Sequence, residues 1–380
     1  MIKNILIIIP ILISNLIFSQ CNGRYQTEIF DSVYINSNVY YSNIYTDNEH
    51  QMDIYSPIED TVTNRPVILY MHGGAFINGD KSDLDCVDFC KSFAKKGYVA
   101  VSVNYRLSND PQSFGLYQQD QYTTVLKAVS DIKGAIRYFR KSVSSGNPYG
   151  IDENTIFIGG YSAGAVAAIH TAFIDDISDL PVSRSYVDFI TGQMVSFNPQ
   201  SLINTIGGSL EGDAGNFGFT SQINGVFSFA GGINDLDWID SNDEPLVSCH
   251  GDLDQIVNYN CGPGLNIPTV FTLCGAAEMH PKANIEGIIN DYVVFYEEEH
   301  EWCSDGNSNP LFVQAINFTS NFLFTLLPCN NITYINNFSE KKVLLKTIDL
   351  LGRKTDYQPG QLLIYIYSDG SVDYKISVKK

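Results

Sequence analysis

The sequence has 380 residues, of which 44% are hydrophobic, and its formal net charge is −19. A chain of this length and apolar content can bury a sizeable core, which excludes bulk disorder. The negative charge repels phosphate backbones and anionic lipids, which argues against nucleic-acid binding and against electrostatic docking to membranes.

The first twenty residues predict a cleaved signal peptide. Lys3 supplies a positive charge, and an apolar run from Ile5 to Phe18 follows it. Because this run is interrupted at Pro10 and is shorter than the about 20 residues of a membrane-spanning helix, an uncleaved anchor is the less favoured alternative. Eight cysteines agree with an oxidising compartment, but their pairing cannot be deduced from the sequence.

From residue 65 onwards, short apolar runs alternate with helical patterns, which is typical of βα units around a mostly parallel sheet. The predicted strands are Pro66–Met71, Tyr98–Tyr105, Thr155–Gly159, Gly225–Phe229, Pro245–Cys249 and Tyr292–Tyr296. The predicted helices are Asp83–Lys96, Val125–Phe139, Ala163–Phe173 and a shorter run at Asn284–Ile289. Residues 174–222 mix Gly, Ser, Asn and Asp with apolar patches, and we expect them to form a partial lid over a pocket.

A Gly-x-Ser-x-Gly pattern from Gly160 to Gly164 lies between a predicted strand and an alanine-rich helix. Glycine on both sides allows the strand to turn abruptly into the helix, which leaves the Ser162 hydroxyl exposed at the helix N-terminus. A serine in that position, beside a base, is typical of a nucleophile. The pattern is short and common by chance, so the strand and helix around it give it most of its weight.

A second glycine motif, His72 to Phe76, directly follows the first predicted strand. Glycine leaves the backbone amides open to a ligand. We therefore expect the amides of Gly73 and Gly74, together with that of Ala163, to hold the oxyanion of a tetrahedral intermediate.

The base and its acid are expected in the chain order nucleophile, acid, histidine. His300 follows the last predicted strand, whereas His250 precedes the acid and His280 is expected to be a surface or packing residue. Asp254 is the favoured acid, and Asp252 is the fallback.

This set of residues predicts two-step acyl transfer without a cofactor or a metal. Phe76 and Tyr161 are placed to line the substrate pocket, although a core role for Phe76 is equally consistent with its position. Glutamates flank His300 on both sides and favour the protonated imidazole, so we expect activity to need mildly alkaline pH.

Residues 45–302 resemble the α/β-hydrolase superfamily, and within it bacterial carboxylesterases of the hormone-sensitive-lipase and xylan- or feruloyl-esterase-like groups. The matching motifs are His72–Phe76, Asn104–Leu107, Gly160–Gly164, His250-Gly251-x-x-Asp254 and His300. The resemblance implies an α/β-hydrolase fold, with a mostly parallel central sheet flanked by helices. It also implies a carboxylesterase, which the predicted signal peptide makes a secreted one, in which Ser162 is the nucleophile, His300 the base and Asp254 the orienting acid. Gly73, Gly74 and Ala163 would be its oxyanion donors.

The C-terminal stretch resembles the sorting signal of type IX secretion. The matching segments are Ile348–Arg353, Pro359-Gly360, Ile364–Tyr367 and Asp369-Gly370. The predicted organisation is a signal peptide at 1–20, a catalytic domain at 21–329, a linker at 330–342 and a short all-β sorting module at 343–380. The resemblance implies a Gram-negative bacterium, contact with the secretion machinery, and release or attachment at the cell surface.

Two further functions stay open. The substrate of the same chemistry could be a lipid ester or a peptide rather than a small-molecule or polymer-linked ester. Alternatively, the fold could be catalytically inactive and act as a surface binding protein, although a binding module has no use for an intact set of serine, acid and histidine.

Overall fold

The structure is a computed structural model that describes residue 21, residues 23–327 and the backbone of three strands between residues 344 and 376. The chain divides into two compact units, with the boundary after residue 330. The predicted signal peptide and linker lie outside the described residues. Within the described part of the chain, no helix has the length and apolar content needed to cross a membrane.

The first unit alternates strands and helices over most of its length. Its strands are β1 (Val33–Tyr40), β2 (Gln51–Pro57), β3 (Arg65–Met71), β4 (Val99–Val103), β5 (Ile151–Tyr161), β6 (Arg184–Val187), β7 (Met194–Phe197), β8 (Val226–Phe229), β9 (Leu246–Gly251), β10 (Cys261–Pro263), β11 (Thr272–Cys274) and β12 (Asn290–Phe295). Its helices are α1 (Leu84–Lys95), α2 (Pro111–Leu116), α3 (Gln118–Ser144), α4 (Ala163–Phe173), α5 (Ala276–Glu286) and α6 (Pro310–Thr325).

Eight of these strands form one sheet in the order β1-β2-β4-β3-β5-β8-β9-β12. β2 is antiparallel to both of its neighbours, whereas every pair from β4 to β12 is parallel. The carboxyl ends of β3, β5, β9 and β12 therefore meet at one edge of the sheet. The loops at this edge carry the residues that the sequence predicts to be functional.

Both faces of the central strands β3, β4, β8 and β9 are buried, which explains why these strands are continuous apolar runs, whereas the edge strands β1 and β12 are partly exposed. Along β3, Val67, Leu69 and Met71 join the hydrophobic cluster that contains α3 and α4, whereas Ile68 and Tyr70 join the cluster that contains α1 and α6. β3 thus packs against a helix layer on either side. Every residue of α4 is buried, and this helix has the bounds that its apolar composition predicts.

The sequence predicts six of the eight sheet strands but misses β1 and β2. The predicted helical run at Asn284–Ile289 has the wrong bounds. In the structure, α5 spans Ala276–Glu286 and ends at Gly287, which has a φ of 81°. Pro281 lies inside this helix. Because proline usually breaks a helix, the sequence did not indicate that the residues before it are helical. The sequence does not predict the hairpin of β10 and β11, since each of these strands has only three residues. The Cys261–Cys274 disulfide joins the two strands.

In the second unit, β13 (Leu344–Ile348), β14 (Leu362–Tyr367) and β15 (Val372–Ile376) form an antiparallel sheet in chain order. These strands fall within the segment for which the sequence predicts a small all-β module.

Candidate active site

Ser162 occupies the sharp turn between β5 and α4. Its φ of 53° and ψ of −119° lie in a region that non-glycine residues rarely adopt, and its amide donates to the Phe229 carbonyl at 2.9 Å. A Cβ on Gly160 or on Gly164 would lie 2.2 Å from the Met71 carbonyl oxygen. The two glycines therefore let the end of β3 approach the turn, which explains the spacing of the motif.

Ser162, His300 and Asp254 form a hydrogen-bonded chain. His300 Nε2 lies 2.8 Å from Ser162 Oγ, and His300 Nδ1 lies 2.6 Å from Asp254 Oδ2. All three side chains are buried. His300 follows β12 and Asp254 follows β9, which are neighbouring parallel strands, so residues 46 positions apart meet at the same edge of the sheet.

Asp254 is held as an anion by a set of donors. Burial acts to raise its pKa, but hydrogen bonds from His250 and His300 outweigh burial and lower the pKa to about 2. Its Oδ1 accepts from the amides of Ile256 and Val257 at 2.8 and 2.9 Å. The fallback acid Asp252 is not brought to this chain: its Oδ1 accepts from the Glu297 amide instead.

His250 belongs to the site although the sequence analysis set it aside. Its Nε2 lies 2.9 Å from the Val257 carbonyl oxygen and 3.3 Å from Asp254 Oδ2. Because a carbonyl can only accept, this assigns the proton to Nε2 of His250. Its place in the chain order excluded His250 as the base, but nothing in the sequence showed that it contacts the acid.

His280, by contrast, is a packing residue, as predicted. It is fully buried within α5, its Nδ1 lies 2.8 Å from Asn290 Oδ1, and burial lowers its pKa to about 4.

The predicted oxyanion donors line the same cavities as Ser162: Gly73 and Gly74 line the larger one and Ala163 lines the smaller one. Across the described residues, the amides of Gly73, Gly74 and Ala163 have no hydrogen-bond acceptor. A Cβ on Gly73 would lie 3.5 Å from Ser162 Cβ, and Ala163 opens α4, where the helix dipole favours negative charge. Gly73 and Ala163 thus adjoin Ser162, and the three amides are free to donate among the described residues.

The loop after β3 is fixed by hydrogen bonds to its carbonyl groups, which leaves the amides of Gly73 and Gly74 available. The Gly74 carbonyl accepts from the amides of Ile77 and Asn78, and the Gly73 carbonyl lies 2.6 Å from His72 Nδ1. Gly74, Ala75 and Phe76 have φ values of 115°, 56° and 61°. Glycine adopts a positive φ readily, but Ala75 and Phe76 are strained and persist because the surrounding contacts hold them.

The two predicted substrate-binding residues have different surroundings. Phe76 lines a small cavity beside Ser162 and also belongs to the hydrophobic core, so its position is consistent with both roles considered for it. The Tyr161 ring stacks on His300 with centroids 5.2 Å apart, and its hydroxyl donates to the His300 carbonyl at 3.1 Å. Tyr161 lines a larger cavity, but its hydrogen bond makes it a residue that positions His300.

Two cavities open on Ser162. The smaller has a volume of about 30 Å³, and its lining residues are mostly apolar: Ala75, Phe76, Phe114, Ser162, Ala163, Val166, Ile256, Val257, Gly264, Leu265, Val270, Phe271 and Leu273. The larger has a volume of about 510 Å³, and its lining mixes apolar with polar and acidic residues: Gly73, Gly74, Ala75, Asn78, Gly79, Asp83, Leu84, Asp85, Tyr161, Ser162, Ile256, Leu265, His300, Glu301 and Ser304.

The predicted lid is wrong. No residue of the segment 174–222, all of which the structure describes, lines either cavity. The cover comes instead from residues 256–273, which include the loop around β10 and β11. The segment 174–222 holds the β6–β7 hairpin, whose base packs through Phe197 on Tyr122.

The chain belongs to the BD-FAE family, whose model matches residues 52–266. The α/β-hydrolase fold is confirmed by solved structures. The chain is similar to a truncated carbohydrate esterase from gut microbiota, with 17% identity, a TM-score of 0.51, and coverage of 79% of this chain and 97% of that one. It is also similar to a propionate-bound esterase from Thermogutta terrifontis, with 17% identity, a TM-score of 0.52, and coverage of 78% and 95%.

Among curated proteins, gut esterase 1 of Caenorhabditis briggsae is 26% identical over 158 residues, which is 37% of this chain. The chain spans 25% of the length of that relative.

Proposed function

We propose that this protein is a secreted serine carboxylesterase that acts through Ser162, His300 and Asp254. The observation that carries the proposal is the unbroken hydrogen-bonded chain from Ser162 Oγ through His300 to the Asp254 carboxylate. The similarity to esterases supports the class of reaction.

The geometry supports two successive acyl transfers. Ser162 Oγ attacks an ester carbonyl while His300 Nε2, 2.8 Å away, takes its proton. The oxyanion accepts from the amides of Gly73, Gly74 and Ala163, each of which is worth about 10²–10³ in rate where measured in other enzymes. His300 then protonates the departing alcohol, and a water molecule activated by the same imidazole releases the acid.

Asp254 keeps His300 in the required tautomer throughout this cycle. An ionised carboxylate on Nδ1 leaves Nε2 free to accept the serine proton and stabilises the imidazolium that forms. Because its pKa is about 2, Asp254 remains ionised over the whole range in which the histidine can act as a base.

We also propose export through the type IX system, with a cleaved signal peptide and a C-terminal sorting segment. The Cys261–Cys274 disulfide supports an oxidising destination, and the antiparallel strands β13–β15 agree with a small β module. Mass spectrometry of protein secreted by the native host tests this: peptides from residues 1–20 in the mature protein would contradict the signal-peptide assignment.

Labelling with a fluorophosphonate probe, followed by peptide mapping, tests the chemistry. We expect label on Ser162 in the full chain, and loss of label in Ser162→Ala and in His300→Ala. Ser201→Ala, a serine in an exposed turn, is the control and should label fully. A folded protein that takes up no label would contradict the proposal and favour a catalytically inactive binding protein.

A further inference from the structure

The hairpin of β6 and β7 presents an apolar patch that no part of the described chain covers. Val187, Phe189, Ile190 and Met194 are 55%, 75%, 65% and 67% exposed. Val187 pairs with Met194 across the two strands, and the other two residues lie in the turn that joins them. We call these four residues the tip patch. They expose an area on the order of 500 Å², which is comparable to the roughly 300–600 Å² of the largest apolar patch on a typical monomer, and such patches are often functional.

The two faces of the hairpin differ in what they contact. One face packs on the body of the protein, where the Phe197 ring lies 5.7 Å from that of Tyr122. Successive residues of a strand point to opposite faces, so the Val187–Met194 pair lies on the face away from this contact. The exposed fraction alternates in the same way along both strands. The patch is therefore exposed because of the strand geometry of a packed hairpin.

The turn at the tip is fixed by Asp188. This residue is buried, and its Oδ1 accepts from the amides of Ile190 and Thr191 at 2.9 and 2.7 Å. Asp188 is also the only charged residue between residues 186 and 197, and its carboxylate is occupied by its own turn. The tip patch is thus an uncharged surface that is already ordered, which lowers the entropic cost of binding.

Area and charge decide between the candidate partners of the tip patch. A second copy of the chain would need about 800 Å² on each partner for a stable dimer, which is more than the patch offers. Two chains with a formal charge of −19 also repel each other, and the same charge repels an anionic lipid surface. A lipid surface without net charge imposes neither cost. Its affinity grows with the apolar area that enters the boundary between headgroups and acyl chains.

We propose that the tip patch docks this protein reversibly on a lipid surface that has no net charge. The two side chains of the turn enter the boundary between headgroups and acyl chains, and the strand pair lies at its edge. Tyr122 connects the base of the hairpin to the candidate active site, because its ring also lies 5.8 Å from that of Phe271, which lines the smaller cavity beside Ser162. A docked protein therefore holds the cover of the site near the lipid surface.

Co-sedimentation of the full chain with phosphatidylcholine vesicles tests the proposal. Phe189→Ser combined with Ile190→Ser, the turn variant, should lower the partition coefficient by about tenfold or more, since affinity follows the apolar area withdrawn from water. Ile285→Ser combined with Ile289→Ser is the matched control, because it removes two side chains that are 79% and 60% exposed and lie outside the hairpin. The control should bind like the wild type. Both double variants keep residues 1–20 unchanged, so a difference between them comes from the hairpin, and thermal unfolding shows that both are folded.

Vesicles in which a third of the lipid is phosphatidylglycerol test the choice of surface. We expect weaker binding to these vesicles than to pure phosphatidylcholine at low salt, and a smaller difference at high salt, because salt screens the repulsion. Met194→Gln, a second and milder change to the tip patch, should weaken binding to both kinds of vesicle by a smaller factor than the turn variant.

Wild-type protein that does not bind phosphatidylcholine vesicles overturns the proposal, and so does a turn variant that binds as well as the wild type. Stronger binding to the anionic vesicles overturns the choice of an uncharged surface. Wild-type dimers in sedimentation equilibrium that become monomers in the turn variant would assign the tip patch to a second copy of the chain. Docking needs no catalysis, so Ser162→Ala should bind vesicles like the wild type, and a failure of the proposed function leaves this result unchanged.

Discussion

Asp254→Asn removes the carboxylate to which the amides of Ile256 and Val257 and the ring of His300 donate. The pKa of Asp254 falls from its ordinary 3.8 to about 2, since the hydrogen bonds to the two histidines outweigh burial. At about 1.4 kcal/mol per pKa unit, the ionised carboxylate stabilises the folded state by ~2 kcal/mol. Because the folded-state pKa is depressed, this stabilisation is complete above pH 3.8 and is lost as the pH falls through about 2.

Urea unfolding at pH 7, 5 and 3 measures this contribution, with Asp252→Asn as the matched control. We expect Asp254→Asn to be less stable than the wild type by ~2 kcal/mol at pH 7 and pH 5, and by less at pH 3. Its kcat on 4-nitrophenyl acetate should fall by about 10³–10⁴, since an amide does not enforce the tautomer of His300. Asp252→Asn should change little, because that carboxylate contacts the Glu297 amide and not the histidine.

Two results would refute this reasoning. The first is a stability difference for Asp254→Asn that stays constant or grows as the pH falls, which would place its effect outside the carboxylate charge. The second is a loss of kcat in Asp252→Asn equal to that in Asp254→Asn, which would mean that the orienting role is not specific to Asp254.

Three further predictions concern single side chains. Gly164→Ala should destabilise the protein by ~2–4 kcal/mol in thermal unfolding, since the new Cβ would lie 2.2 Å from a backbone carbonyl, whereas Gly115→Ala, with nothing within 4 Å, should stay within ~1 kcal/mol. His250→Phe keeps a ring but removes the N–H beside Asp254, so kcat should fall by about tenfold with little change in KM. A tenfold rise in KM with an unchanged kcat would argue against a positioning role. Burial raises the pKa of Glu244 to about 7, so its ionisation opposes folding as the pH rises from about 4.5 to 7; Glu244→Gln should therefore raise Tm more at pH 8 than at pH 5, and the reverse order would contradict this.

Local patterns were sufficient to predict much of the site. The glycines at positions 160 and 164 marked the turn, because only a residue without a Cβ allows the end of β3 to come so close. The order of strands and loops then restricted the histidine to His300, since loops that follow parallel strands end at one edge of the sheet.

Other parts of the site could not be predicted, because they depend on loop conformation or on contacts between distant segments. His250 is only four residues from Asp254, but its type and position do not show that the loop brings its Nε2 to 3.3 Å from the carboxylate, and Tyr161 lies 139 residues from the His300 carbonyl to which it donates. The cover of the cavities was assigned to the wrong loop for the same reason: length and composition identify a segment as irregular but not what it packs against.

The sequence by itself determined the layered α/β architecture, the strand-to-helix turn at Ser162 and the chain order of the three candidate site residues. These features follow from short-range rules, since strand and helix periodicity and glycine conformation act over a few residues. Only the tertiary structure decided which aspartate reaches His300 and how the space around Ser162 divides into a small apolar and a large acidic cavity. The volume and charge of a cavity are set by residues that lie far apart in the sequence and come together only when the chain folds.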